Sequence, residues 1–298
     1  MKQPKAAQSA AAGPLTLPLS ASAPASAQRA SSYASASTKK SPRIAYEACP
    51  LCDSDDFQHF KTANCSRHPC YNSILPPTMS WKRCNACGHV FTEGYLTDEA
   101  AAIVFDKTLP YQKVGNEVDT HRKVSARIIE RIVPYMPSGD WLDVGFGNGS
   151  LLFTADEWGY HSVGLDLRSA NVAAMQKLGY EVYCTPIEEL DTPGRFSVIS
   201  MADVLEHIPM PKGALAAAHR LLRPGGVLFL SMPNSETIIW QIMDASNNNP
   251  YWPEIEHCHN FSRTRLYALL EEFGFTPRSY SISDRYPSCM QVIAIKQG

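Results

Sequence analysis

The 298-residue chain contains no run of 18 apolar residues, so a helix long and greasy enough to span a bilayer is excluded. Nor does it carry an excess of positive charge. Its 27 Lys and Arg stand against 29 Asp and Glu, a net of −2, which argues against a general binder of nucleic acid or anionic membranes. No apolar stretch follows the first lysines, so a secreted, disulfide-stapled framework is not expected, and the nine cysteines are read in a reducing, cytoplasmic compartment. No internal repeat is visible, which sets solenoids and propellers aside. Acidic residues are missing from the first 43 positions, which hold six basic side chains (Lys2, Lys5, Arg29, Lys39, Lys40 and Arg43). The rest of the chain therefore carries 21 basic against 29 acidic residues, a net of −8. Ala, Ser and Pro fill 26 of those 43 positions, too little apolar surface to offset the entropy of ordering, so residues 1–43 are expected to be a disordered basic tail.

What is present is distributed unevenly. Six of the nine cysteines fall within the 39 residues from Cys49 to Cys87. Cys49-Pro-Leu-Cys52 and Cys84-Asn-Ala-Cys87 form two C-x2-C knuckles, a spacing that turns both thiolates of a pair toward one ion. Four thiolates close a tetrahedral zinc shell with no open position, so the expected role is structural, within a small zinc-ribbon-like domain over residues 44–97. Cys65, His68 and Cys70 in the intervening loop are read as partly buried thiols and a surface histidine rather than ligands. Residues 98–138 read as a helical linker, most clearly where Val124, Ile128 and Ile132 recur every four residues.

From residue 139 to 298 short apolar runs alternate with helical stretches, the pattern of a parallel sheet covered by helices. Strands are predicted at 141–145, 162–166, 181–184, 196–201 and 226–232. Helices are predicted at 150–158, 169–178, 212–222 and 263–273, and a closing antiparallel pair at 278–283 and 290–296. The segment Trp141-Leu-Asp-Val-Gly-Phe-Gly-Asn-Gly149 runs a strand into a glycine loop and then a helix, letting backbone approach a ligand closely. It lacks the G-x-G-x-x-G spacing of a dinucleotide fingerprint, and there is no Gly-Lys-Ser/Thr of a phosphate loop. Asp166, ending the next strand, is placed to accept both ribose hydroxyls of a nucleoside. A carboxylate at Asp143 would repel a pyrophosphate but suits a ligand with an ammonium and a sulfonium group, which is S-adenosylmethionine.

These residues resemble the class I S-adenosylmethionine-dependent methyltransferases, from about Asp119 to the C-terminus. Two further blocks carry the resemblance: Phe196-Ser-Val-Ile-Ser-Met-Ala-Asp-Val-Leu-Glu-His207, and Leu221-Leu-Arg-Pro-Gly-Gly-Val-Leu-Phe-Leu-Ser-Met-Pro-Asn234. The resemblance implies an α/β fold with a Rossmann-like seven-stranded sheet, helices on both faces and a terminal antiparallel hairpin. It implies that Asp143, Gly145, Gly147, Gly149 and Met201 surround the cofactor, that Asp166 binds ribose, and that Leu167 packs on adenine. Pro186 stands where relatives carry an acid, so the Ile187 backbone is expected to take over the adenine contact.

Methyl transfer is an in-line displacement, helped by a base when the acceptor is a hydroxyl or ammonium group. His207, at the carboxyl end of the fourth strand, is one candidate. His257 and His259 are others, in a polar and aromatic segment within a predicted lid insert at 240–262; with Glu254 they also form a possible metal set. The expected acceptor is a small molecule or saccharide methylated at O, N or C. Two alternatives remain: an RNA methyltransferase gripping RNA through the zinc domain, against which the −8 body counts, and a non-catalytic cofactor-binding protein.

Overall fold

A computed structural model describes residues 41–106 and 109–298. The tail predicted over 1–43 lies outside the described residues as far as Lys40. Arg43, assigned to that tail, instead opens strand β1 (Arg43–Ala45), where its guanidinium donates to the carbonyls of Gly94 at 3.0 Å and Ile255 at 3.2 Å. Strands β2 (Phe57–Asn64), β3 (Thr78–Cys84) and β4 (Val90–Thr92) follow, then β5 (Gly94–Leu96), which pairs antiparallel with β1. Two helices come next, α1 (Asp98–Asp106) and α2 (Val118–Ile132).

The alternating region then unfolds in order: β6 (Asp140–Val144), α3 (Ser150–Glu157), β7 (His161–Leu165), α4 (Ser169–Lys177), β8 (Glu181–Tyr183), β9 (Phe196–Ala202), α5 (Pro211–Leu221) and β10 (Leu222–Pro233). After α6 (Ile238–Ala245) and the two-residue β11 (His259–Asn260) come α7 (Arg263–Glu272), β12 (Phe275–Ile282) and β13 (Cys289–Lys296). Seven of these strands form one sheet in the order β12-β13-β10-β9-β6-β7-β8, in which β13 runs against the other six, and the antiparallel pair that the sequence predicts, β12 with β13, closes one edge. Its central strands are apolar on both sides because helices cover both faces. Trp141, Val198, Val227 and Phe229 face one layer with Ile128, Ile129 and Ile132 of α2; Leu142, Ile199, Leu228 and Leu230 face the other, with Leu215 of α5 and Leu269 of α7. The stretch predicted as a linker thus supplies, in α2, a covering helix of the sheet.

Ser41 to Gly298 form one compact unit. Tyr46, Cys49, Leu51 and Phe91 of the cysteine-rich part share a continuous core with Leu228 and Leu266. The predicted lid insert joins the two parts. Its β11 completes the antiparallel sheet β11-β4-β3-β2, with His259 opposite Phe91 and Asn260 opposite Val90. Trp252 is buried against Trp81, whose Nε1 donates to the Trp252 carbonyl at 2.9 Å. Among the described residues no helix is long and apolar enough to cross a membrane.

Candidate active site

The carboxyl end of the parallel strands opens onto a cavity of about 1180 Å³. Its first end is built where β6 turns into α3. Gly145 and Gly147 take φ values of 71° and 54°, a conformation that costs little only for glycine. A Cβ on Gly145 would stand 2.8 Å from Val204 Cγ2, whereas one on Gly147 would meet only the Gly145 carbonyl oxygen, at 3.9 Å. Bare backbone therefore lines the cavity at Gly147. The Gly147 amide donates to Asp166 Oδ2 at 3.0 Å, and the Arg168 amide donates to Oδ1 at 2.8 Å, which fixes the Asp166 carboxylate at the end of β7. Asp143 is buried on β6. Burial pushes its carboxyl up to about 7, with the charge of Asp166 adding to the rise and the Ser200 hydroxyl, donating at 2.6 Å, opposing it.

Asp143, Gly145, Gly147, Asp166, Leu167 and Ile187 all line this cavity, and so do His207 and His257. Gly149 and Met201 do not: Gly149 caps α3, where a Cβ on it would run into Phe153 and Met175, and Met201 is packed inside the core. His259 also lies off the cavity wall. It is fully buried, its Nε2 donating to the Ile208 carbonyl at 2.9 Å while its Nδ1 accepts from His89 Nε2 at 3.1 Å, so both ring nitrogens tie β11 to its surroundings.

The second end of the cavity is made by side chains from distant segments. Glu206 and His207 sit on a one-turn 3-10 helix (Leu205–His207) just beyond β9. The His207 Nδ1 donates to the Glu256 carbonyl at 3.0 Å, and the His257 ring stands edge-on to it with centroids 4.6 Å apart. Burial pulls both imidazoles below their ordinary range, His257 to about 3 with the charge of His207 adding, so both are neutral at physiological pH. Glu256 is pushed up to about 7 by burial and by the nearby Glu254. Burial acts on Glu254 in the same sense, but His68, 2.6 Å away, holds it below the usual carboxylate range. His68 is therefore not the surface residue expected from its loop.

Asp203 escaped the sequence reading. It adopts φ 56°, rare for a residue with a Cβ, and is held there by the Ser231 hydroxyl on Oδ1 at 2.9 Å and by its own amide on the Ser231 carbonyl at 2.8 Å. The available signal was an acid at the carboxyl end of β9, where open α/β sheets place ligands.

A separate cluster gathers the two knuckles. Cys49 Sγ and Cys87 Sγ are 3.7 Å apart, Cys52 Sγ and Cys84 Sγ 3.5 Å, and all four sulfurs lie within 4.8 Å of one another with no disulfide between them. A tetrahedral ion with sulfur ligands at 2.3 Å requires sulfur separations of about 3.8 Å, so the donor set fits zinc. The knuckles share one backbone turn: the Asp53 amide donates to the Cys49 carbonyl and the Gly88 amide to the Cys84 carbonyl, each at 3.0 Å.

The sequence profile of a family described as "Methyltransferase domain" matches residues 118–280, more than half of the chain. The ubiquinone biosynthesis O-methyltransferase of Idiomarina loihiensis is 36% identical over 179 residues, covering 52% of this chain and 74% of that protein. Its namesake from Colwellia psychrerythraea is 30% identical over 145 residues, 45% of this chain, which spans only 59% of that protein's length. Among solved structures, the 1,6-didemethyltoxoflavin-N1-methyltransferase of Burkholderia thailandensis, with 1,6-didemethyltoxoflavin and S-adenosylhomocysteine bound, superposes with a TM-score of 0.52 at 20% identity. The match covers 72% of this chain and 98% of that one, a likeness of fold. With the strand order, the glycine loop and the profile match in agreement, the chain belongs to the methyltransferase-domain family of class I S-adenosylmethionine-dependent enzymes.

Proposed function

We propose that the protein transfers a methyl group from S-adenosylmethionine to a hydroxyl oxygen of a small-molecule acceptor. The observation that carries this reading is that one cavity joins Asp143, Gly147 and Asp166 at one end to His207 and His257 at the other. The naming of the curated relatives as O-methyltransferases supports oxygen as the atom methylated.

The residues at the first end fit the cofactor on two counts. Gly147 leaves room beside Asp166, whose fixed carboxylate would receive the ribose hydroxyls. The buried Asp143, its carboxyl pushed up to about 7, lacks a cationic partner among the groups acting on it, and a ligand of net positive charge would supply one. Leu167, exposed on the cavity rim, would cover the adenine, and Ile187 would offer backbone to its edge. When bound, the cofactor would supply a sulfonium methyl group: the acceptor oxygen would form the new C–O bond, sulfur would keep the electron pair of the broken C–S bond, and the hydroxyl proton would pass to water. His207 and His257 present unprotonated nitrogen to the acceptor end, with the His207 ring fixed by the Glu256 carbonyl. We assign a structural zinc ion to Cys49, Cys52, Cys84 and Cys87; its closed shell leaves no position for chemistry.

Calorimetry with S-adenosylmethionine tests the cofactor end. Asp166→Ala should weaken binding by about 100-fold, the order expected for losing charge-assisted hydrogen bonds. Undiminished affinity would sink the assignment. The pH dependence gives a second readout with a definite sign. The Asp143 carboxyl is neutral below about 7 and negative above it, and a cationic ligand favours the ionised form, so affinity should rise as pH passes upward through about 7. Asp143→Asn should flatten that profile. Label transfer from the cofactor into a panel of hydroxylated small molecules, read by mass spectrometry, then defines the acceptor.

A further inference from the structure

The acceptor end holds a second set of groups, whose reading here rests on the proposed methyl transfer. One donor atom from each of Glu206, His207 and His257 lies within 4.8 Å of the others, on the cavity wall. Glu206 is 1% exposed and its Oε2 has no hydrogen-bond partner; His257 is 7% exposed and its Nδ1 has none. Buried polar atoms are almost always paired, because leaving them open forfeits the water contacts they had in the unfolded chain.

The geometry around the open atoms is prepared for a ligand. A carbonyl can only accept, so the 3.0 Å contact from His207 Nδ1 to the Glu256 oxygen places the ring proton on Nδ1 and leaves the lone pair on Nε2. Metal-binding histidines are oriented in this way, by a carbonyl on the far nitrogen. The two contributing segments are also laced together. The Cys258 amide donates to the Glu206 carbonyl at 2.8 Å, and the Cys258 thiol reaches the His207 carbonyl at 3.8 Å. Their relative position is therefore set by backbone rather than by the side chains that would do the binding.

We propose that Glu206, His207 and His257 hold a divalent transition-metal cation, distinct from the four-cysteine zinc, and that this cation anchors the acceptor through its hydroxyl oxygen. Two imidazoles and a carboxylate suit Mn2+, Fe2+, Co2+ or Zn2+, and three protein ligands leave coordination positions open, unlike the closed thiolate shell. The acceptor class follows from those positions: a molecule with two adjacent oxygens, vicinal hydroxyls or a hydroxyl beside a carbonyl, can occupy two of them. The cation draws electron density from the hydroxyl, the proton leaves to water, and the oxygen pair then forms the C–O bond described above.

Full-length protein, washed with a chelator too mild to strip thiolate-bound zinc, is titrated with Mn2+ alone and free Mn2+ is followed by electron paramagnetic resonance. Wild type should take up about one Mn2+ per chain, and Glu206→Gln and His257→Gln should each bind it at least about tenfold more weakly. S-adenosylmethionine affinity, measured on the same samples, should be retained in both variants and certifies that each is folded; two variants on different segments guard against one failing that check. A wild type that binds S-adenosylmethionine but no Mn2+, or folded variants that bind Mn2+ as wild type does, overturns the cation site and leaves the methyltransferase reading standing. A wild type that binds no S-adenosylmethionine overturns that underlying reading instead.

Discussion

The seven-stranded and four-stranded sheets lie in one compact unit, yet they bury their side chains by different means. Every residue of β9 except the last is buried, and its alternate side chains feed two helical layers, so the large sheet is held by apolar burial on both faces. The small sheet has no such surplus. On β2 only Ala63 is buried, and the outer faces of Phe57 and Phe60 are covered by Lys82 and Arg83, at 4.5 and 4.2 Å from the rings. Its inner residues Met79, Trp81 and Val90 complete their packing with Trp240, Trp252 and Ile255, from a segment 150 or more residues later in the chain. Four sulfurs and a borrowed strand thus replace the core that so small a sheet cannot build. The segment that it borrows also carries His257. The acceptor end of the cavity therefore depends on the small sheet, while the cofactor end is framed by the large one.

The largest break in this comparison should come from removing the zinc ion proposed for the four thiolates. Structural zinc contributes on the order of 10 kcal/mol to the folding of the module it closes. Cys84→Ser should abolish zinc binding by metal analysis and stop methyl transfer, while S-adenosylmethionine affinity falls less than about tenfold. Native zinc content in that variant would remove the four-thiolate assignment; loss of cofactor binding along with zinc would show that the two sheets stand or fall together. Next in size, Trp252→Ala should cost about 3–5 kcal/mol in denaturant unfolding, the range for emptying a large aromatic site. It should lower turnover more than cofactor affinity. A cost under about 1 kcal/mol would mean that the small sheet needs no cover from this segment.

The same division decides what was legible in the sequence. The large sheet announces itself locally: buried parallel strands read as apolar runs, and Asp143, the glycine loop and Asp166 follow in that order along one strand-loop-helix-strand unit. The cysteine knuckles are local as well, each a single turn. What the sequence does not disclose is pairing across the chain. The density of aromatic and histidine residues from Tyr251 to His259 reads as a lid because nothing local says that Trp252 meets Trp81 or that β11 joins β4. His257 and His259, two residues apart, suggest a shared face. A turn closed by the His257 amide on the Glu254 carbonyl precedes β11, so one ring enters the cavity and the other the join between sheets. Helix α6 also went unread; its Ile238, Ile239 and Ile242 share one face, and that face is exposed while Trp240 is buried.

The smallest expected effect separates packing from hydrogen bonding at that join. Tyr46 is buried, its ring edge-on to Phe91 at 5.6 Å, and its hydroxyl donates to the Pro209 carbonyl, just beyond the turn that carries His207, at 2.8 Å. Tyr46→Phe keeps the ring contacts and deletes only the donor, so its cost should be about 1 kcal/mol, the net worth of one such hydrogen bond. Measured by denaturant unfolding, it should sit well below Trp252→Ala, because the join is held chiefly by apolar surface. A cost for Tyr46→Phe as large as for Trp252→Ala would invert that ranking. It would place the hold of the small sheet on the catalytic end in directed contacts to the loop at Pro209, and would predict a larger loss of turnover from the missing hydroxyl than from the missing indole.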